Sequence, residues 1–362
     1  MRMQRGMKLA FAAMFAAVVP LYAGLDESVK ALASVAREGK GNDAASAAWR
    51  EVVKAGTSAI PALLAAAGKG NPVADNWLRL AGDAIVSGAA QKADAVAPAL
   101  AFLKDTTHPA AARVLAFDLL RQADAAAADT VEPSLISDPV QALRRGAVQR
   151  IIDAAKSGDA KALYTKALEA VRDEDQTKVI AAALEKLGVK VDLPRHFGFL
   201  MKWNVIGPFD NTERKGFDAV FPPEKEVKLD ATYDGKSGPV KWQLVESADD
   251  YGKLDINKPL GAKKEVTAYA VTTFNSTTER EAELRLGCKN AWKVWLNGEL
   301  LFSRDEYHRG QKMDQYTMKA RLKKGANTIL VKACQNEQTE QWTVEWEFQL
   351  RVCDSTGTAI LN

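Results

Sequence analysis

Cysteine and histidine are both scarce in this sequence of 362 residues, which contains three of each. Three cysteines cannot form a dense disulfide framework, and the two residue types together leave little material for a zinc site. Charge of one sign is also lacking, because 49 Lys and Arg stand against 46 Asp and Glu. A formal net charge of +3 is too small to indicate a nucleic-acid partner, which normally requires a concentrated basic face. We therefore expect no cofactor, no metal ion and no nucleic acid.

The composition is typical of a folded protein, since 47% of the residues are apolar and 26% are charged. A chain of this length normally forms about two domains. Its two parts differ: the part from Gly24 to Lys190 is rich in Ala, whereas six of the eight Trp residues follow Val191. We therefore expect two different domains, over residues 24–190 and 201–362, joined by a linker over residues 191–200.

Residues 1–23 have the pattern of a secretory signal peptide. Three basic residues within the first eight positions precede the apolar run Leu9–Ala23. We expect cleavage after Ala23, which places the mature protein in a periplasm or outside the cell and leaves it without a membrane contact. The alternative is an uncleaved membrane anchor, but a run of about 15 residues is short for a spanning helix, which needs roughly 20.

Prolines recur in the Ala-rich part at an interval typical of paired helices. Proline is favoured in the first turn of a helix, where its missing N–H would have no partner. A period of about 36 residues indicates a helical repeat, in which each helix pair packs on the next pair. The first series consists of Pro61, Pro98 and Pro133, which lie 37 and 35 residues apart, and the second of Pro72, Pro109 and Pro139.

The segment Asp138–Val148 resembles the second helix of a HEAT-type repeat. A tetratricopeptide repeat is the alternative, because the period is short for HEAT, but its Trp, Gly and Tyr positions are missing. The resemblance implies an α-solenoid with a concave surface for protein contact. Arg113 and Arg121 are expected to face outward. We interpret one candidate surface residue, Trp77, as part of the core and the others as ion-paired surface arginines: Arg79, Arg113, Arg144 and Arg145.

Short alternating or apolar runs divided by turn residues follow Met201, a pattern typical of an antiparallel β-sandwich. The clearest signal is Asn297-Gly298 between two apolar segments, because a type I′ hairpin turn requires positive φ at both positions. The expected strands lie over residues 201–206, 226–232, 240–245, 266–275, 281–286, 291–296, 300–303, 315–322, 328–334 and 343–353.

Two segments of this part carry a family resemblance. Val294–Leu301 and Leu322–Lys332 are similar to the jelly-roll, sugar-binding-like domain of family 2 glycoside hydrolases, which belongs to the wider galactose-binding-like fold. Together with Trp203–Asn211, they resemble exported bacterial proteins of unassigned activity that combine this domain with HEAT-like repeats. The resemblance implies a jelly roll, and it does not specify a ligand, since the domain is accessory even within the hydrolases.

Two polar loops of this part contain the residue types that bind sugars. An aromatic face suits the C–H surface of a sugar ring, and carboxylates, amides or Arg suit its hydroxyl groups. If the loops Arg304–Asp314 and Gln335–Trp342 lie at one end of the sandwich, their side chains converge; otherwise their aromatics cap the core or meet the helical domain. The candidate ligand-binding residues are Tyr307, His308, Arg309, Asn336, Glu337, Glu340 and Trp342.

We therefore predict a non-catalytic exported binding protein, in which the helices contact a protein partner and the sandwich binds carbohydrate or another surface ligand. Two alternatives stay open. One is a scaffold without glycan binding, and the other is a carbohydrate-active hydrolase that uses the carboxylates of Asp305, Glu306, Glu337 and Glu340. A retaining glycosidase needs two carboxylates about 5 Å apart, and the sequence contains no strand motif for such a pair.

Two smaller questions concern the cysteines and calcium. We expect Cys288, Cys334 and Cys353 to be buried free thiols, and the alternative is one disulfide with an odd cysteine. If Cys334 and Cys353 end neighbouring antiparallel strands, they lie at opposite ends of a hairpin, too far apart for a bridge. Asp249-Asp250 with Asp255 could bind Ca²⁺ through oxygen ligands, but without a loop signature a plain acidic turn is favoured.

Overall fold

The computed structural model describes residues 24–362, so the predicted signal peptide over residues 1–23 lies outside the described residues. The described chain divides into two compact units, one ending at Val171 and the other spanning Arg172–Asn362. The first unit is built of helices and is called the helical unit below. The second is built mainly of antiparallel sheets and is called the sheet unit. The predicted order of helices followed by sheets is confirmed. Among residues 24–362, no helix is long and apolar enough to cross a membrane.

The helices of the first unit each bury one face. In one of them Leu78, Ala81 and Ile85 follow each other at helical spacing, and all three are buried in the common core. The helices are α1 over residues 24–33, α2 (Asn42–Ala55), α3 (Ile60–Ala66), α4 (Pro72–Gly88), α5 (Val96–Lys104), α6 (Ala110–Ala123), α7 (Ala125–Val131), α8 (Gln141–Ala154) and α9 (Ala160–Ala170).

The second series of prolines stands at or just before helix starts. Pro72 is the first residue of α4 and follows Asn71, whose side-chain oxygen accepts hydrogen bonds from two N–H groups of the first turn at 3.0 and 3.2 Å. Pro109 directly precedes α6. Before α8, the carboxylate of Asp138 accepts a hydrogen bond from the N–H of Val140 at 2.8 Å. Helix α6 packs against both α4 and α8.

The prediction that Arg113 faces outward is wrong. Its side chain is 1% exposed, and its guanidinium donates to both carboxylate oxygens of Asp138, at 2.8 and 2.5 Å, and to the carbonyl oxygen of Leu103. This charge can lie inside the unit because each of its nitrogens finds an acceptor. Arg121 does face outward, and it pairs with Glu132 at 2.8 Å.

The other candidate surface residues of this unit range from exposed to buried. Trp77 packs half-buried against the helical core, which confirms its interpretation as a core residue. Arg79 is exposed and pairs with Asp83 at 3.4 Å, also as expected. Arg144 is buried rather than exposed, and it donates to the carbonyl oxygen of Asp138. Arg145 is half-buried.

The second unit begins before the expected domain boundary at Lys190, because helix α10 (Glu174–Lys186) belongs to it. The ammonium of Lys178 in this helix lies 4.9 Å from the ring centroid of Tyr251. Helical periodicity continues through α10 from the first unit, so the sequence pattern alone does not mark the change of unit.

Most expected strands are found close to their predicted positions, and the strand over residues 291–296 has those bounds. The expected strand over residues 226–232 is wrong, since residues 226–231 form no strand and Leu229 is exposed. The strands are β1 (Lys202–Asp210), β2 (Thr232–Gly235), β3 (Gly238–Lys241), β4 (Gln243–Glu246), β5 (Leu254–Asp255), β6 (Val266–Ser276), β7 (Arg280–Cys288), β8 (Ala291–Leu296), β9 (Glu299–Arg304), β10 (Tyr316–Leu322), β11 (Gly325–Gln335) and β12 (Glu347–Cys353), and the short helices are α11 (Leu193–Phe197), α12 (Pro222–Lys225) and α13 (Asn257–Leu260).

The strands form two main sheets that share one hydrophobic core. The six-stranded sheet has the order β4-β1-β6-β11-β8-β9 and the four-stranded sheet the order β10-β7-β12-β5, while β2 and β3 form a separate hairpin. Trp203 and Trp292 of the first sheet and Phe348 and Leu350 of the second lie in this core. The pairing of strands within each sheet is antiparallel.

The predicted hairpin turn and the free cysteines are both found. Asn297 and Gly298 have φ values of 53° and 86° between β8 and β9. All three cysteines are free and buried. The premise that Cys334 and Cys353 end neighbouring strands is wrong, however, because β11 and β12 lie in different sheets.

Candidate binding site

Three segments that connect strands meet at one place in the sheet unit. They are the β9–β10 loop (residues 305–315), the β11–β12 loop (residues 336–346) and the β1–α12 segment (residues 211–221). Asn211 Nδ2 donates to the hydroxyl of Tyr307 at 3.1 Å, and His308 Nε2 lies 2.7 Å from Asn336 Oδ1. The two loops, whose convergence the sequence leaves open, therefore lie next to each other, and a third segment joins them.

Tyr307 lies half-buried between the three segments. Its ring packs with Phe217, Ala291 and Cys334, and its hydroxyl accepts the hydrogen bond from Asn211. Burial raises the pKa of the Tyr307 hydroxyl above its ordinary range. The hydroxyl therefore stays protonated at neutral pH. Tyr307 holds the segments together through its packing and its hydrogen bond to Asn211, and it does not act as a base.

Trp342 offers the exposed aromatic surface of the site, with 60% of its area accessible. The imidazole of His308 packs against it edge-to-face, with ring centroids 5.3 Å apart and an interplanar angle of 86°. Asn336, which is completely buried, binds His308 through an oxygen that also accepts the N–H of Gln338 at 3.3 Å. A buried amide thus orients the imidazole that packs on the open indole.

Arg214 and Glu337 form a charged pair beside these aromatic rings. The guanidinium donates to both carboxylate oxygens, in one case from Nε at 3.0 Å, and it lies 5.2 Å from the ring centroid of Tyr307. Hydrogen bonding by Arg214 lowers the pKa of Glu337 below its ordinary value. Both side chains are about half exposed, at 47% and 48%, so they keep accessible donors and acceptors.

The other two candidate residues lie apart from this cluster. Arg309 points to solvent, with 67% of its side chain exposed, and its guanidinium is 3.6 Å from the carboxylate of Glu306. Glu340 has an exposed side chain whose charge acts on the ammonium of Lys264, and its carbonyl oxygen accepts the hydroxyl of Thr343. The cluster therefore consists of five predicted residues, Tyr307, His308, Asn336, Glu337 and Trp342, with Asn211 and Arg214 added.

Asn211 and Arg214 were missed because their role depends on contacts far along the chain. Asn211 meets Tyr307 across 96 residues, and Arg214 meets Glu337 across 123 residues. The only local signal is a polar run directly after the apolar strand β1, where a loop with function can follow a rigid element.

The β9–β10 loop is attached to the four-stranded sheet by a partly buried carboxylate. Asp314 accepts hydrogen bonds from Arg351 at 2.7 and 2.6 Å and from Arg285 at 2.8 Å. Burial acts to raise the pKa of Asp314, but these two arginines bring it below its ordinary value. Gly287 of β7 allows the close approach of the loop, because a Cβ there would overlap the carbonyl oxygen of Lys312.

The remaining carboxylates near the site differ in environment. Burial and the charge of Asp218 raise the pKa of Asp305. Glu306 lies within ion-pair distance of Arg304, at 3.4 Å, as well as of Arg309. These carboxylates are thus either paired with arginine or partly desolvated.

No group of three or more His, Cys, Asp or Glu side chains within residues 24–362 is arranged to hold a metal ion. In the acidic turn considered for calcium, the carboxylate of Asp249 accepts hydrogen bonds from the N–H groups of Tyr251 and Lys253, at 2.8 and 3.3 Å. Asp255 accepts the N–H of Asn257 at 2.9 Å. Both carboxylates therefore serve their own turns.

No protein-family model and no curated protein matches this sequence. Similar solved structures include a β-glucosidase from Kluyveromyces marxianus, which is 13% identical over 42% of this chain and 16% of its own, with a TM-score of 0.26. The same enzyme in complex with glucose gives a TM-score of 0.27, at 13% identity over 42% of this chain and 17% of its own. A family 31 α-xylosidase from Xanthomonas citri is 10% identical over 31% of this chain and 15% of its own, with a TM-score of 0.20. The matches thus span less than a fifth of these enzymes, and likeness this low supports no statement about the activity of this chain.

Proposed function

We propose that this chain is an exported, non-catalytic binding protein whose sheet unit binds carbohydrate. The binding site is the place where the β9–β10 loop, the β11–β12 loop and the β1–α12 segment meet, called here the three-segment site. The observation that carries the proposal is the open indole of Trp342, packed edge-to-face on His308. A flat aromatic surface suits the C–H face of a sugar ring. The neighbouring Arg214–Glu337 pair supplies donors and acceptors for hydroxyl groups without an excess of either charge. A neutral sugar therefore fits the site better than an acidic one.

A binding role fits the site better than a catalytic one. Glu337 is held by Arg214 and has a lowered pKa, which does not suit a general acid at neutral pH. The Tyr307 hydroxyl has a raised pKa and is bonded to Asn211. Neither group therefore suits the part of a general acid at neutral pH.

The proposal includes the finer architecture. The helical unit is a HEAT-like α-solenoid that contacts a protein partner, supported by the succession of α4, α6 and α8 behind equivalent prolines. The sheet unit is a galactose-binding-like jelly roll, supported by the two antiparallel sheets around one core.

The chain acts in a periplasm or outside the cell, supported by the basic and apolar segments of residues 1–23. Amino-terminal sequencing of the mature protein should begin at Gly24, and an intact Met1 would contradict export by cleavage.

Retardation in gels that contain soluble neutral polysaccharides, together with a glycan array, tests the carbohydrate site. Trp342→Ala should weaken binding of the retained polysaccharide about tenfold, because it removes the stacking surface, which is worth about 1.4 kcal/mol. Leu244→Ala is the matched control, since Leu244 is 71% exposed on the edge strand β4, outside the three-segment site. Equal retention of the wild type and Trp342→Ala would show that Trp342 and its loop do not bind the polysaccharide.

The same assays separate the two alternatives. A scaffold should show no glycan response and should recover one defined protein from the periplasmic fraction. A hydrolase should turn over a polysaccharide, and the turnover should vanish with Glu306→Gln or Glu337→Gln.

A further inference from the structure

A groove of about 720 Å³ in the sheet unit is lined by a mixture of apolar and neutral polar residues with two lysines and no carboxylate. A second groove, in the helical unit, combines apolar side chains with carboxylates. This second groove encloses about 630 Å³ and runs across α4, α6 and the start of α8. Val114 and Leu115 of α6 and Val140 before α8 give it an apolar surface. Helices pack about 8–10 Å apart, so a groove across three of them spans about 20 Å, which is the length of about six extended residues.

Carboxylates stand on the polar side of this groove. Asp75 of α4 accepts the N–H of Gly68 at 2.8 Å. Arg79 also lines the groove, but its guanidinium pairs with Asp83 at 3.4 Å. Within residues 24–362, Asp118 of α6 accepts no hydrogen bond and forms no ion pair. The groove therefore contains a carboxylate whose charge is not neutralised by a direct partner.

The surroundings of Asp118 favour a cation from outside. Burial and the charge of Asp83 raise the pKa of Asp118, against the weaker opposite action of Arg79 and Arg121. An incoming ammonium or guanidinium would relieve this cost, whereas an incoming carboxylate would add to the repulsion.

We propose that this groove binds an extended peptide segment of a partner protein that places a lysine or arginine next to a small apolar side chain. The cation pairs with Asp118, and the apolar side chain packs on Val114 and Val140, which are both partly exposed in the groove. The inference rests on the proposed protein-contact role of the helical unit and names the surface and the chemistry of the partner. It uses no residue of the carbohydrate site.

A displayed library of random hexapeptides, selected on the full chain, tests the inference. The wild type should enrich sequences with Lys or Arg beside Ala or Val. Asp118→Lys should reverse the preference to Asp or Glu, because it reverses the charge that the peptide meets. Glu51→Lys on α2 makes the same charge change at another exposed position and should keep the wild-type preference.

An enriched peptide, labelled with a fluorophore, then gives the affinity by fluorescence polarisation. Asp118→Asn should weaken its binding about tenfold, and Val114→Arg should abolish it by occupying the groove. The inference is overturned if the wild type enriches nothing or if Asp118→Lys keeps the wild-type preference. It is also overturned if sedimentation shows a dimer that Val114→Arg dissociates, since the groove would then hold a second copy. Glycan retention by the same samples reports separately on the carbohydrate site.

Discussion

Each of the two units buries an ion pair, but the partners lie at different separations along the chain. In the helical unit Arg113 and Asp138 are 25 residues apart. In the sheet unit Lys332 of β11 and Glu224 of α12 are 108 residues apart, with the ammonium 2.9 Å from the carboxylate. The helical unit is thus held together by near neighbours in sequence. The sheet unit, and with it the candidate site, depends on segments that meet only after the chain has folded.

The largest effect should come from breaking these two pairs. Lys332 is fully buried and also donates to the carbonyl oxygens of Phe217 and Ala219. Lys332→Met leaves the carboxylate of Glu224 largely buried without its cation, with only the hydroxyl of Tyr269 as a donor. It should reduce the free energy of unfolding by about 3–5 kcal/mol, as should Arg113→Met in the helical unit. Urea unfolding followed by tryptophan fluorescence and by circular dichroism at 222 nm measures both losses.

The two substitutions should differ in their effect on the site. Lys332 holds the β1–α12 segment that carries Arg214, so Lys332→Met should also lower glycan retention, whereas Arg113→Met should not. Lys319→Met is the control, since Lys319 is exposed on β10. If Lys332→Met retains glycan as well as this control does, Lys332 does not hold the segment in its binding position.

The separation of contacting residues along the chain also explains which features could be predicted from the sequence. The hairpin at Asn297-Gly298 and the strand over residues 291–296 depend on local turn chemistry and side-chain alternation, and both were predicted. The prediction that Arg113 faces outward was wrong, because helical periodicity does not reveal that the carboxylate of Asp138 lies inside the unit and accepts its hydrogen bonds. Residues 226–231 of the expected strand have the alternation but pair with no strand, and only Thr232 at its end belongs to β2.

The candidate site was predicted only in part, for the same physical reason. Loop composition pointed to Trp342 and His308, whose residue types are informative by themselves. Arg214 could not be found, because its partner Glu337 is 123 residues away and neither residue type is unusual in a loop. Whether Arg309 or Glu340 faces the cluster depends on backbone geometry that the sequence does not specify.

A smaller effect should follow from an added methyl group under the β9–β10 loop. In Gly287→Ala the new Cβ overlaps the backbone of Lys312, so the loop must move. We expect a loss of about 1–3 kcal/mol in unfolding free energy and weaker glycan retention. Gly310→Ala is the matched control, because a Cβ at Gly310 in the same loop meets open space. Equal retention by both variants would mean that the position of the loop does not matter for binding.

Acid should weaken the sheet unit through Asp314. Its pKa is lowered in the folded state by Arg351 and Arg285 against the effect of burial, so its contribution is present above the ordinary value of 3.8 and is lost as the pH falls through the folded value. Urea midpoints from tryptophan fluorescence should therefore fall between about pH 5 and pH 3. Asp314→Asn should be less stable at pH 7 and should show a flatter pH dependence over this range. A slope unchanged from the wild type would assign the acid sensitivity to other groups.

The smallest effect, and of opposite sign, is expected at Asp118 in the helical unit. Its pKa is raised by burial and by Asp83, so the charged form costs stability above the folded pKa, and this cost disappears as the pH falls towards 3.8. Although neighbouring atoms desolvate its carboxylate in part, Asp118 is exposed overall and solvent screens its charge. Asp118→Asn should therefore stabilise the helical unit at pH 7 by only about 0.5 kcal/mol or less. Circular dichroism at 222 nm in urea, at pH 7 and at about pH 4, should show a gain that shrinks in acid. A loss of stability at pH 7 would mean that Asp118 already has a partner within the fold, and the groove would then no longer call for a cation.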